Sequence, residues 1–218
     1  MSIAAILFDF DGVMAETLPY HIPAWERALE SHFDFPFNPM TVKLNEGRPV
    51  MGLAKAVFEE AGREYTDAVL EEVVNKKNSI FRATHKAAVY PENFEIVRLA
   101  KNNGLRVGLV TGTKLKNVQA LLPPQLLDSF NVIIVDGDVE RGKPFADPYL
   151  AAADRLGLSP EKCLVVENAP LGIRAAKAAG MFCAAIKTTL SSEHLEQADV
   201  IFDNHADLLK NFRDLISH

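Results

Sequence analysis

Ile3-Ala-Ala-Ile-Leu-Phe-Asp-Phe-Asp-Gly12 is an apolar run that meets two aspartates and then a glycine. A continuous apolar run, rather than an in/out alternation, is how a strand covered on both faces reads. Similar runs recur at Leu105–Val110, Val132–Val135, Cys163–Val166 and Phe182–Ile186. Helical patterns lie between them at Pro91–Asn103, Lys114–Leu121, Asp147–Leu156 and Leu171–Ala179. Gly104, Gly157 and Gly180 each follow the last turn of such a pattern, as helix-ending glycines do. Strand and helix in alternation predict an α/β fold with a Rossmann-like, doubly wound parallel sheet.

Residues 15–88 break the rhythm. They hold no convincing strand, and Tyr20–Ser31, Pro49–Ala61 and Thr66–Thr84 read as helices. A helical block between the first strand and the rest of the sheet reads as an inserted α-helical cap over 15–88. Residues 1–14 and 89–218 would then together form the core.

At 218 residues the chain suits one large domain or a core with an insertion. Lys plus Arg number 23 against 29 Asp plus Glu, a net charge of −6, which argues against non-specific binding to nucleic acid or an anionic membrane. No apolar stretch approaches the ~20 residues of a bilayer crossing. The first residues lack the basic start of a secretory signal. Cys163 and Cys183 sit in short apolar runs and read as buried thiols. A cytoplasmic protein is expected.

In an open parallel sheet the ligand site lies beyond the carboxyl ends of the strands, so the residues there decide the chemistry. Asp9 and Asp11 follow the first strand. Two apart in extended chain, they project to one side, where they repel unless a divalent cation or a shared proton accommodates them. A turn with two solvated aspartates is the plainer alternative. The second strand ends in Val110-Thr111-Gly112-Thr113, whose hydroxyl and backbone N–H groups suit a phosphate oxygen or an ordinary helix cap. Lys143, after the third strand, is a site cation or a surface charge. The fourth ends in Glu167-Asn168, oxygen donors suited to Mg²⁺.

Asp-x-Asp, Thr, Lys and acid–amide on four successive strand tips resembles the haloacid dehalogenase superfamily, over essentially the whole chain. The resemblance implies that Asp9 is a nucleophile that becomes an aspartyl-phosphate. Asp11 would protonate the leaving group and then activate water. Thr111 and Lys143, with Gly112 and Thr113 beside them, would hold the phosphoryl oxygens. Mg²⁺ would be bound by Asp9, the backbone carbonyl of Asp11, and the fourth loop with Glu167 and Asn168. Asp11 also separates the chain from the family's dehalogenases, which lack it and need no metal.

Leu18-Pro-Tyr-His-Ile-Pro-Ala-Trp25, and Gly172-Ile-Arg-Ala-Ala176 leading to Ala179-Gly-Met181, resemble the β-phosphoglucomutase branch. By that likeness His21 orients Asp11 near the cap hinge; a packed histidine beside Trp25 is the alternative. Two positions depart from the branch. Asn168 stands where most members have an acid, and Asn45-Glu46-Gly47-Arg48 differs from the mutase's specificity loop. Glu-Gly-Arg in the cap and Glu167-Asn-Ala-Pro-Leu-Gly172 in the core resemble a sub-branch that contains an inorganic pyrophosphatase. The departures fit together if Glu46 swings in on cap closure and supplies the carboxylate that Asn168 lacks. Arg48 and Lys77 would then meet the leaving group or distal phosphate. Otherwise Glu46 is a solvated loop acid.

The expectation is a Mg²⁺-dependent phosphohydrolase acting on inorganic pyrophosphate or a small phosphomonoester, small because a closed cap leaves little room. A phosphomutase that retains a sugar bisphosphate is the alternative. A non-catalytic phosphate-binding module, with Asn168 as a first sign of decay, is a third reading. The expected partner is a small phosphorylated molecule, not nucleic acid or membrane, and the expected state is a monomer or weak dimer.

Overall fold

The apolar runs form β1 (Ala5–Phe8), β2 (Arg106–Val110), β3 (Val132–Ile134), β4 (Cys163–Glu167) and β5 (Phe182–Ile186). With β6 (Val200–Phe202) they build a parallel sheet in the order β3-β2-β1-β4-β5-β6. The structure is a computed structural model that describes residues 3–30 and 35–217. Phe8 lies level with Leu109 and Val166, so Asp9, Thr111 and Glu167 emerge at one edge. The strand order reverses between β1 and β4, and a doubly wound sheet opens its ligand crevice at such a point.

After β1 the chain leaves the sheet and returns beside itself. Ala15 bridges to Val89, and the N–H of Tyr90 bonds to the Met14 carbonyl at 3.1 Å. The excursion is helical: α1 (Leu18–Leu29), α2 (Pro39–Leu44), α3 (Val50–Glu60) and α4 (Asp67–Thr84). The expected helix end at Ser31 lies outside the described residues. Asn38 caps α2 by accepting the Met40 N–H, and Thr66 caps α4 by accepting that of Val69. Trp25, Leu29, Val57, Leu70 and Val73 pack together apart from the sheet. Each such burial stabilises by roughly 1.5–3 kcal/mol, so the helical block has a core of its own.

The remaining helices cover the sheet. α5 (Glu92–Asn102), α6 (Leu115–Leu121), α7 (Pro124–Leu127) and α10 (His205–Leu215) join the layer that receives Ile6 and Phe8. α8 (Asp147–Leu156) and α9 (Pro170–Ala178) join the layer that receives Ala5 and Leu7. The period-2 alternation of β1 thus feeds two separate cores, which is why its apolar run is unbroken. Gly104 and Gly180 follow α5 and α9 with φ of 77° and 75°, and Gly157 itself caps α8 at 65°. Both cysteines are free and buried. Among the described residues no helix is long and apolar enough to cross a membrane.

Candidate active site

Asp9 leaves β1 directly and is 2% exposed. Its carboxylate meets Lys143, which reaches in from the loop between β3 and α8. The Lys143 ammonium donates to Asp9 Oδ1 at 2.5 Å, to Glu167 Oε1 at 2.6 Å and to the Val110 carbonyl at 3.0 Å. These contacts use all three of its protons. Lys143 is therefore not a surface charge; burial opposes its proton, but Asp9 and Glu167 more than reverse that and hold it charged. One ammonium between two buried carboxylates leaves negative charge in surplus. Burial raises the proton affinity of Asp9, Glu167 and Asp11 add to the rise, and Lys143 opposes it.

Asp11 sits at the mouth. Thr17 donates to its Oδ1 at 2.6 Å, Thr113 donates to Oδ2 at 2.8 Å, and His21 Nε2 lies 3.4 Å from Oδ1. Burial works against its charge, but the His21 ring and the two hydroxyls hold its pKa at about 2. The hydroxyl bonds favour the carboxylate whatever charge the ring carries. Its loop is gripped from the core side, since Asn93 Nδ2 and His205 Nε2 lie 2.8 and 2.6 Å from the Val13 carbonyl. Gly12, at φ 80°, makes the turn between them.

His21 joins Asp11 to the helical block. Its Nδ1 faces Lys77 Nζ at 2.9 Å, and its ring stacks on Phe81 with centroids 4.0 Å apart. Burial first, then Lys77, lowers the His21 pKa against the pull of Asp11. Lys77 is itself buried on α4 and brought down to about 8. Thr111 accepts the Thr113 N–H at 3.0 Å and does not cap α6, whose start has no side-chain cap.

Glu46 is 5% exposed, so it is not a solvated loop acid. Its Oε2 accepts from Asn168 Nδ2 at 3.1 Å, and the same amide donates to Thr189 at 2.9 Å. Burial, Asp11 and Asp9 raise its pKa well above the usual range, against the bond from Asn168. Glu46 Oε1 and Asn168 Oδ1 are buried without a partner. Among the described residues no three His, Cys, Asp or Glu side chains form a ready-made cation cluster. Orphaned hard oxygens within a surplus of buried negative charge nevertheless fit Mg²⁺, which takes few carboxylates and keeps other oxygen ligands.

Two cavities share Asp11, His21, Lys77, Gly112 and Thr113. The smaller, about 70 Å³, is also lined by Trp25, Glu46 and Arg48. The larger, about 510 Å³, is lined by Asn75, Asn78, Arg82 and Lys116 among others. Small-molecule sites run to roughly 300–1,000 Å³. The expectation that the helical block leaves little room is therefore corrected: the block roofs the acids closely but stands off beside them.

The sequence reading does not single out Thr17, Tyr149, Thr189, Asn93 or His205. Tyr149 on α8 donates to Glu167 Oε1 at 2.8 Å. Each lies outside the strand-tip motifs, and no spacing in the chain ties it to its partner. Gly172 keeps the space for that carboxylate open: a Cβ there would lie 1.6 Å from Glu167 Oε1.

The strand tips of the parallel sheet thus converge on a buried Asp–Lys–Glu chain, with a second Asp over its mouth. Residues 3–180 match the haloacid dehalogenase-like hydrolases, and the chain belongs to that family. It is an enzyme with phosphatases and a phosphomutase among its relatives. It is 30% identical over 190 residues to β-phosphoglucomutase of Bacillus subtilis (strain 168), covering 84% of this chain and 82% of that protein. Fructose-1-phosphate phosphatase YqaB of Escherichia coli (strain K12) is 30% identical over 181 residues, covering 82% of this chain and 93% of that protein. A solved Bacteroides vulgatus structure, provisionally named as a β-phosphoglucomutase, superposes with a TM-score of 0.86 at 31% identity. That match covers 98% of this chain and 89% of the other.

Proposed function

We propose that the protein is a Mg²⁺-dependent phosphohydrolase acting through an aspartyl-phosphate on Asp9. Its substrate would be a small phosphate compound, either inorganic pyrophosphate or a small phosphomonoester such as a sugar phosphate. The observation that carries this reading is the buried Asp9–Lys143–Glu167 chain with Asp11 two residues from Asp9. It pairs a nucleophile with the cation that would meet an incoming phosphoryl group.

In the first transfer an Asp9 oxygen attacks phosphorus as the bond to the leaving oxygen breaks, and that oxygen takes a proton from Asp11. Asp11 is held ionised by His21, Thr17 and Thr113, so it first takes a proton from solvent as the arriving phosphoryl charge raises its proton affinity, and only then acts as an acid. In the second, Asp11 takes a proton from water, the water oxygen attacks phosphorus, and the bond to Asp9 breaks to release phosphate. Lys143, Thr111 and the N–H groups of Gly112 and Thr113 bind the equatorial oxygens. Asp9, the Asp11 carbonyl and Glu167 would hold Mg²⁺, with Asn168 Oδ1 and Glu46 the further donors. When bound, the ion offsets the repulsion between carboxylate and phosphate.

Residues 15–88 act as a cap on the 1–14 and 89–218 core in this reading. The cap brings Glu46, Arg48, His21 and Lys77 over the substrate and excludes water. The direct test is phosphate release from pyrophosphate, sugar phosphates, phosphoglycolate and nucleotides, with and without Mg²⁺. Release is expected for at least one compound, lost with EDTA and lost in Asp9→Asn with the fold intact. No release from any compound with Mg²⁺ would favour the binding module.

A phosphomutase is the second reading, favoured by the 510 Å³ cavity, in which a bisphosphate could turn between two transfers. Incubation with a hexose 1-phosphate and a bisphosphate activator separates the two. Isomer marks the mutase, and free phosphate marks the hydrolase.

A further inference from the structure

Tyr149 belongs to no phosphate-binding motif, yet its hydroxyl ends inside the acid cluster. The side chain is fully buried in the core between α8 and the sheet. A buried hydroxyl is costly unless bonded, and a phenylalanine would fill the same space without that cost. Here the hydroxyl donates to Glu167 Oε1 at 2.8 Å, and Lys143 Nζ lies 5.1 Å from the ring centroid.

The contacts of Glu167 show why a second donor matters. Its Oε2 takes the Asn168 N–H at 3.0 Å. Its Oε1 takes both Lys143 and Tyr149. Lys143 also serves Asp9 and the Val110 carbonyl, and it has no proton left for a phosphoryl oxygen unless it gives up one of the three. Tyr149, fixed on a helix and bonded to Glu167 through its one proton, stays when Lys143 turns.

We propose that Tyr149 is a positioning residue. By holding Glu167 Oε1 it keeps that carboxylate at the cation site when Lys143 shifts its contact to the substrate. This inference rests on the Mg²⁺ reading above.

The test is calorimetric titration of Mg²⁺ into wild type and Tyr149→Phe, each saturated with inorganic phosphate, the anion to which Lys143 would turn. Partners that orient a metal ligand are typically worth ten- to hundredfold in affinity. Tyr149→Phe is expected to bind Mg²⁺ about tenfold more weakly, with the substrate KM changed less than twofold at saturating Mg²⁺. A smaller Mg²⁺-induced rise in Tm than in wild type is the second measurement, readable even if the variant melts earlier. Equal Mg²⁺ affinity and equal Tm rise in the two proteins would overturn the inference while leaving the Mg²⁺ reading intact. If wild type itself takes up no Mg²⁺, both fall.

Discussion

Glu167 lies over the first turn of α9, in space that exists because residue 172 has no side chain. A Cβ at Gly172 would come within 1.6 Å of Oε1 and 2.0 Å of the carboxyl carbon, and neither the helix nor the sheet can yield that much. Local propensity pulls the other way. An interior helical glycine costs roughly 0.5–1 kcal/mol against alanine, so Gly172→Ala should favour α9 itself. It should also displace Glu167 from Lys143 and Tyr149. The expected outcome is a folded protein whose kcat/KM and Mg²⁺ affinity both fall by about tenfold or more, measured by phosphate release and calorimetry. At this scale the sequence was informative about donors and silent about what holds them. Asp9, Asp11, Thr111 and Glu167 stand at or just past strand ends and Lys143 in the loop after β3, where a one-dimensional reading can find them. Thr17, just ahead of α1, and Tyr149, on α8, reach their partners only through tertiary packing.

Helix α4 shows how one element carries structure and chemistry on one face. Leu70, Val73, Val74 and Phe81 bury its apolar stripe, and Lys77 interrupts that stripe at 4% exposure. Burial depresses the Lys77 pKa from 10.5 to about 8, with Asp11 opposing the shift. Between those values the unfolded chain binds more protons than the folded one, so stability rises as pH climbs from 8 to 10.5. Below pH 8 the folded state bears the whole cost. Lys77→Met should therefore raise unfolding stability at pH 7 by up to roughly 3 kcal/mol, less whatever the His21 contact returns. The gain over wild type should shrink by pH 10.5, and activity should fall. Denaturant melts at the two pH values check this, and a destabilised variant at pH 7 would refute it. Element boundaries were legible to within two residues wherever apolar runs were long. β6 is no shorter than β3, but its apolar run stops at three residues between Asp199 and Asp203, whereas that of β3 continues to Val135. α10 was legible but unread, because Leu208, Phe212 and Leu215 have helical spacing in the sequence itself.

Over the whole molecule, a net charge of −6 coexists with a larger cavity whose lining sets Lys77, Arg82, Lys114 and Lys116 against Asp11, Glu71 and Asp136. An acidic protein can bind an anion when its pocket is locally positive, so overall charge said little about substrate. Cavity size says more. The space of about 70 Å³ between Asp11, Glu46 and Arg48 lies below the usual range for organic ligands, and the adjoining 510 Å³ lies within it. A chain that cleaved pyrophosphate alone would leave the larger space unused. Asn78 lines only the larger cavity of the two, so Asn78→Trp would take up part of that space, away from Glu46 and Arg48, which line only the smaller one. If an organic phosphate is the substrate, Asn78→Trp should lower kcat/KM for a hexose phosphate by about tenfold to a hundredfold, through misplacement of the ester. Pyrophosphate hydrolysis, where present, should change by less than about threefold. Parallel losses on both compounds would show that the two cavities act as one. Retention of hexose phosphate turnover would place the organic part of the substrate elsewhere.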